Sequence, residues 1–137
     1  MNIHIDFVNK LRNSGLRPTK QRLKICEVLF NTEKTFHFTI NDLSKIISEK
    51  LNQKISLATV YNTVHAFKKK GYLKEISMNS EKTYFDTNTS HHHHFFDSST
   101  KELTDLSDDQ VEKIKINKAL PGKKISSVEI LVKVENE

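Results

Sequence analysis

The sequence predicts an α+β protein in two parts, a helical first part closed by a β-hairpin and a smaller second part of β-β-α-β order. Three observations predict it. Four segments before residue 71 carry apolar residues at helical spacing. Short alternating segments follow, punctuated by polar turns. The charge also divides: residues 1–87 hold fifteen Lys and Arg against eight Asp and Glu, whereas residues 88–137 hold seven against nine. The boundary is therefore placed at 87/88.

The first helix spans about 3–13, with Ile3, Phe7, Val8 and Leu11 on one face, and Gly15 stops it. Pro18-Thr19 opens a second over about 19–31, with Leu23, Cys26, Leu29 and Phe30 inward. Thr39 caps a third over about 40–51, which turns Ile40, Leu43, Ile46, Ile47 and Leu51 inward. Ser56 caps a fourth over about 57–70, ended by Gly71. Leu73 to Ile76, a polar turn around Asn79-Ser80, and Thr83-Tyr84-Phe85 form a hairpin. In the second part, His94-Phe95-Phe96 and Glu102 to Leu106 flank the turn Asp97 to Thr100 as a second hairpin. Ser107-Asp108-Asp109-Gln110 is a capping box that predicts a helix over about 108–118. Pro121-Gly122 breaks the chain before a β-branched strand over about 125–134.

The chain has 137 residues, a net charge of +5 and one cysteine, Cys26. A mean hydropathy of −0.56 and the absence of any 18-residue apolar run exclude a membrane span. Met1 to Asp6 has neither a basic nor an apolar leader region, so no secretory signal is expected and the protein is expected in the cytoplasm. A single cysteine excludes an internal disulfide framework and every CxxC zinc site.

Helices followed by a hairpin describe a winged helix, and the fourth helix has a face suited to a DNA groove. At about 100° per residue, Leu57, Val60, Val64 and Phe67 fall on one side. The opposite side centres on Asn62, flanked by Ala58, His65 and Lys69, with Ser56 at the cap and Thr59 and Tyr61 at the margins. Short hydrogen-bonding side chains at a helix start can enter the major groove, while terminal lysines hold phosphates. Residues 56–67 contain no arginine, which removes the bidentate contact to guanine. Asn62 can bond adenine, and Thr59 or Tyr61 can pack on a thymine methyl. Double-stranded DNA with an A·T-rich operator is the expected partner. The second part is too small to bury its apolar residues alone, so a homodimer is expected.

Gly15-Leu16-Arg17-Pro18-Thr19-Lys20-Gln21-Arg22, then His37 to Leu43, then Ser56-Leu57-Ala58-Thr59-Val60-Tyr61-Asn62-Thr63, then His91 to His94 resemble the ferric uptake regulator (Fur) family. The likeness runs along nearly the whole chain with its motifs in order. Lys82 to Asn88 followed by His92-His93-His94-Phe95-Phe96 is most similar to the iron response regulator (Irr) branch. The resemblance implies a dimeric winged-helix transcription regulator whose second half is an α/β dimerisation domain and whose DNA-binding form is controlled by metal. The branch implies a response to haem and iron status. By motif, one metal site would use His37, Asp86, His92 and His94, and a second would use His91, His93 and Glu112. Asp86 stands where the family usually has glutamate, His93 where many members have aspartate, and Val128 where they have histidine. The paired CxxC motifs of a four-cysteine structural zinc are absent. So is a Cys-Pro haem motif, because Glu27 follows Cys26.

The histidines support this reading independently. In an extended strand His92 and His94 point one way, His91 and His93 the other. Two imidazoles on one face can chelate a divalent ion, with Asp86 and His37 as candidate further ligands, and iron, manganese or zinc as candidate ions. Haem is the other option, held by an axial histidine. The function expected is an iron- or haem-responsive repressor. The alternatives are a family member sensing zinc, manganese or peroxide and, remotely, a small metal-dependent hydrolase. Against an enzyme, the sequence has no Gly-rich phosphate loop and no Ser/His/Asp or Cys/His arrangement.

Overall fold

The structure is a computed structural model that describes residues 2–76, 78 and 82–137. The turn expected around Asn79-Ser80 lies outside the described residues. The chain divides into two compact units, Met1–Thr89 and Ser90–Glu137.

In the first unit, four helices form where capping chemistry and apolar spacing agree. Helix α1, Ile3–Asn13, starts at Asn2, whose side chain accepts the His4 and Ile5 amides. It buries Phe7 and Leu11 and leaves Ile3 exposed. Helix α2, Lys20–Phe30, is capped by Thr19 and buries Ile25, Cys26, Val28 and Leu29. Its inward face is thus broader than expected, while Leu23 and Phe30 sit at its edge. Helix α3, Ile40–Leu51, opens on a reciprocal capping box: Thr39 Oγ1 accepts the Asp42 amide, and Asp42 Oδ2 accepts the Thr39 amide. Leu43 and Ile47 point fully inward. Helix α4, Leu57–Lys70, runs from Ser56 to Gly71, whose φ of 91° lets the chain reverse after the last turn.

One residue of α4 departs from the pattern. Leu57 is 52% exposed rather than inward. Helical side chains lean towards the N-terminus, and at the first position no preceding turn exists to cover one. Thr63 takes a core position instead. Its hydroxyl donates to the Thr59 carbonyl at 2.8 Å, which removes the cost of burying it.

The hairpin strands are β2, Lys74–Ile76, and β3, Tyr84–Asp86. A two-residue strand, β1 (His37–Phe38), joins them in an antiparallel sheet of order β1-β3-β2. Two residues are too few to show alternation, so β1 had no signature in the sequence. Its register sets His37 opposite Asp86 and Phe38 opposite Phe85. Phe38, Phe67 and Phe85 are among the largest fully buried side chains, and the Phe38 and Phe85 rings stack at 5.8 Å.

Cys26 belongs to this core. Burial pushes its thiol up to about 12, against a smaller opposing pull from the Lys10 ammonium. The thiolate is the reactive form. Ellman's reagent at pH 8 should therefore leave Cys26 unmodified in the native protein and react fully after unfolding in guanidinium. Because the folded pKa is the raised one, the stability tied to this group is intact below about pH 9 and declines as pH rises towards 12.

In the second unit, β4 (His92–Asp97) and β5 (Glu102–Ser107) pair antiparallel around a tight turn. Asp97 Oδ1 accepts the Ser99 and Thr100 amides, and Lys101 adopts φ 64°. Strand β6, Leu131–Val134, returns parallel to β4, giving the order β5-β4-β6. The α+β class holds, but the helix expected over 108–118 does not form. Only a 3-10 turn, Asp108–Gln110, follows β5. The Ser107–Gln110 box does start it, with the Ser107 amide on the Gln110 side chain at 3.0 Å. Beyond it, Ile114 and Ile116 alternate with Lys113 and Lys115. That period of two gives a helix no apolar stripe, and residues 112–120 take no regular secondary structure. The strand expected from residue 125 is regular only from Leu131.

Candidate DNA-reading helix and metal-ligand clusters

Helix α4 presents the face expected of it. Ser56, Ala58, Tyr61, Asn62 and Lys69 are exposed, and Thr59 and His65 are half-buried. The Ser56 hydroxyl donates to Thr59 Oγ1 at 2.9 Å and accepts the Thr59 amide, so the cap occupies both residues. The His65 ring lies against Tyr61 at 4.1 Å and edge-on to Phe85 at 5.6 Å. Its place is thus to brace Tyr61, and Tyr61 and Asn62 remain the outermost groups. Of the three terminal lysines, Lys68 pairs with Glu75 on β2 at 3.5 Å, which leaves Lys69 and Lys70 as the outward cations.

Each unit supplies part of the expected ligand set. In the first, β1 and β3 hold His37 Nε2 3.3 Å from Asp86 Oδ2. Asp86 is 1% exposed, and its other oxygen accepts the Asn88 amide at 2.8 Å, which orients the carboxylate. In the second unit, β4 places His92 and His94 side by side, with ring centroids 4.5 Å apart. Both face Asp105 on β5, at 3.4 Å and 3.6 Å from its Oδ1. Asp105 was missed in the sequence, although a signal existed. A hairpin turning symmetrically between Asp97 and Glu102 sets residue 94 opposite residue 105, and this is the register observed.

Backbone partners fix which ring nitrogen can act. His92 Nδ1 lies 2.7 Å from the Ser90 carbonyl, so Nδ1 carries a hydrogen and donates it there, and Nε2 is the nitrogen that faces Asp105. A metal-binding histidine has the same arrangement, its second nitrogen held by a carbonyl. His93 is the reverse. Its Nδ1 accepts the Ile130 amide at 3.1 Å, so Nε2 carries the hydrogen and donates to Asp108 at 2.9 Å. His91 Nε2 donates to the Val128 carbonyl at 3.0 Å and turns Nδ1 towards Asp108 at 3.6 Å.

Within each unit the donors are spaced as the ligands of a divalent ion are. Two ligands about 2.1 Å from a tetrahedral ion stand about 3.4 Å apart, and the His–Asp separations above lie close to that. Mixed imidazole and carboxylate donors suit zinc, iron and manganese. The second expected site fits less well. Asp108, not Glu112, groups with His91 and His93. Glu112 is exposed and lines the same hollow of about 620 Å³. The His93 lone pair is taken by a backbone amide, so metal at its Nε2 would require that bond to break. The cluster works as it stands as a knot that ties β4 to the 3-10 turn and to the entry of β6.

A profile of the ferric uptake regulator family matches residues 13–133. The peroxide-responsive repressor PerR of Staphylococcus epidermidis is 33% identical over 84 residues, 61% of this chain and 54% of that protein. The ferric uptake regulation protein of Yersinia pestis is 36% identical over 81 residues, 59% of this chain and 53% of that one. The chain thus spans about half the length of the curated relatives it matches. The ferric uptake regulator of Vibrio cholerae superposes with a TM-score of 0.72 at 25% identity, covering 94% of this chain and 98% of that one. The manganese-containing regulator of Pseudomonas aeruginosa shares the fold, with a TM-score of 0.68 at 21% identity over 96% of this chain and 98% of its own. With the profile running from the last residue of α1 into β6, the chain belongs to the ferric uptake regulator family.

Proposed function

We propose that this chain is a DNA-binding transcription repressor that acts as a homodimer and answers to iron, directly or as haem. The observation that carries the reading is α4, with its exposed Tyr61-Asn62 face and outward Lys69, framed by α3 before it and the hairpin after it. The relatives named above are regulators and repressors, which supports this class over a hydrolase.

The chemistry assigned to the residues is as follows. Asn62 reads an adenine edge, Tyr61 packs on a thymine methyl, and Lys69 holds phosphate. His37 and Asp86 from the first unit, with His92 and His94 from the second, bind one divalent ion, and Asp105 orients the two histidines. A bound ion supplies a Lewis-acidic centre that links two chain units which each hold only half of its ligands. Occupancy would then favour one arrangement of the reading helices. Metal is favoured over haem by the donor separations and the carboxylates beside the rings. Haem stays in the proposal through the histidine run and its likeness to the Irr branch. A second reading, response to peroxide, is favoured by the likeness to the Staphylococcus repressor, and zinc and manganese sensing share the same ligands.

Fluorescence anisotropy of the purified protein on A·T-rich and G·C-rich duplexes, with Fe(II), Mn(II), Zn(II) or haem, tests this reading. Asn62→Ala should cost about 1–3 kcal/mol and relax one operator position. Lys69→Ala should weaken all sequences alike and lower the salt dependence by about one counterion. A selected operator dominated by G·C at the contacted positions would refute the assignment of α4.

A further inference from the structure

His65 is placed for more than bracing Tyr61. On α4 it follows Asn62 by three residues and precedes Lys69 by four, so the three share the outward stripe of the helix. The ring is half-buried. It is held by Tyr61 at 4.1 Å and by the edge contact with Phe85 at 5.6 Å. It also lines a hollow of about 430 Å³ together with Thr39, Asp42, Lys82 and Thr83. Tyr61 is 52% exposed and lines the same hollow, which is therefore continuous with the reading face.

The charged groups around the ring decide what a duplex does to it. Among the described residues they are Asp42 at the start of α3, Lys82 before β3 and Lys69 on α4 itself. Asp42 is engaged by its own helix, since its Oδ2 accepts the Thr39 amide at 3.1 Å. Asp86 adjoins Phe85, but strand alternation turns it to the other face of β3, where it meets His37. In the free chain a cation at His65 would stand four residues from the like charge of Lys69, which is mildly unfavourable. A duplex reverses that balance. It carries one negative charge for about every 1.7 Å of its axis. With α4 in the groove, the imidazole lies between the base-reading Asn62 and the phosphate-holding Lys69. Histidine is the side chain whose charge changes near neutral pH, so a field of this kind selects its charged form.

We propose that DNA binding places a proton from the buffer on His65, so that the imidazolium becomes a further cation of the reading face and DNA affinity rises as pH falls from 8 to 6. The proposal rests on α4 being the DNA-reading helix and adds a regulation of that site by acidity. Linkage makes it reciprocal: a proton that strengthens DNA binding is itself held more tightly on DNA.

The full chain, His65→Phe and His65→Gln, each checked for native circular dichroism, are titrated by fluorescence anisotropy on one A·T-rich duplex at pH 6, 7 and 8. The series is run with Zn(II) and again with EDTA, and the three proteins are compared within each condition. Phe keeps an aromatic ring between Tyr61 and Phe85 without a charge, and Gln keeps a polar group without ring or charge. The other histidines are common to all three proteins, so their titration cancels in the comparison. Between pH 8 and 6 the affinity of the unsubstituted chain should rise at least threefold more than that of either variant. At pH 6 its salt dependence should be steeper by up to about one counterion. Calorimetry at pH 7 in phosphate and in Tris, which differ in ionisation enthalpy, counts the proton directly, and the unsubstituted chain should take up more than the variants. Full pH dependence retained in either variant would overturn the proposal, as would equal proton uptake in the three proteins. An unsubstituted chain that binds no duplex at any pH would instead reject the reading of α4 on which it stands.

Discussion

Replacing His92 and His94 together with alanine is expected to abolish the response of DNA affinity to divalent metal, while basal DNA binding persists. A ligand that shifts the DNA-competent state by about 3 kcal/mol changes its population roughly a hundredfold, and that whole factor should vanish. The two rings share one face of β4 and one carboxylate partner, so removing both leaves Asp105 without an imidazole neighbour on that strand. His93→Ala is the informative control. It removes the bonds to Asp108 and the Ile130 amide and should loosen the second unit without removing an ion's ligands. Anisotropy titrations with and without Mn(II) or Zn(II), alongside metal content by mass spectrometry, separate the two effects. A full metal response in the double variant would place the sensor elsewhere. Equal loss of response in both variants, with native melting retained, would make His93 a ligand after all.

Phe85→Ala should be the most damaging single substitution in the first unit. The ring is fully buried on β3, stacks on Phe38 and takes the edge of His65 from α4. Truncating such a residue costs about 3–5 kcal/mol, against a typical total of about 5–15 kcal/mol for a domain. The position also lies between the two proposed functions. Its neighbour Asp86 holds the carboxylate facing His37, and its ring supports the His65 that braces Tyr61. Guanidinium unfolding followed by far-ultraviolet dichroism measures the loss, and a cost below about 1 kcal/mol would show that the site collapses around the missing ring. Metal affinity and DNA affinity should both fall even where the variant stays folded.

The four helices were legible in the sequence because local chemistry determines them. Asn2, Thr19, Thr39 and Ser56 each cap a helix start through their own side chains, and Gly71 ends α4 in a conformation other residues resist. The outward face of α4 follows from the same periodicity. The run of histidines is visible as chemistry, and strand geometry alone separates His92 and His94 from His91 and His93. The helix expected over 108–118 shows where a local signal misleads. The Ser107–Gln110 capping box starts a turn, but capping contributes only about 1 kcal/mol, and the alternation from Lys113 to Ile116 gives a helix no buried face. Other features were decided by tertiary structure alone. Strand β1 exists only because β3 accepts its two residues, and that pairing is what brings His37 to Asp86. The distinct roles of His92 and His93, neighbours of identical chemistry, come from the Ser90 carbonyl on one ring and the Ile130 amide on the other. Ile130 lies 37 residues away and reaches His93 only because β6 returns beside β4. A sequence reports what each side chain is able to do. Which ring nitrogen is left to face a ligand is decided by the backbone group that the fold places against the other nitrogen.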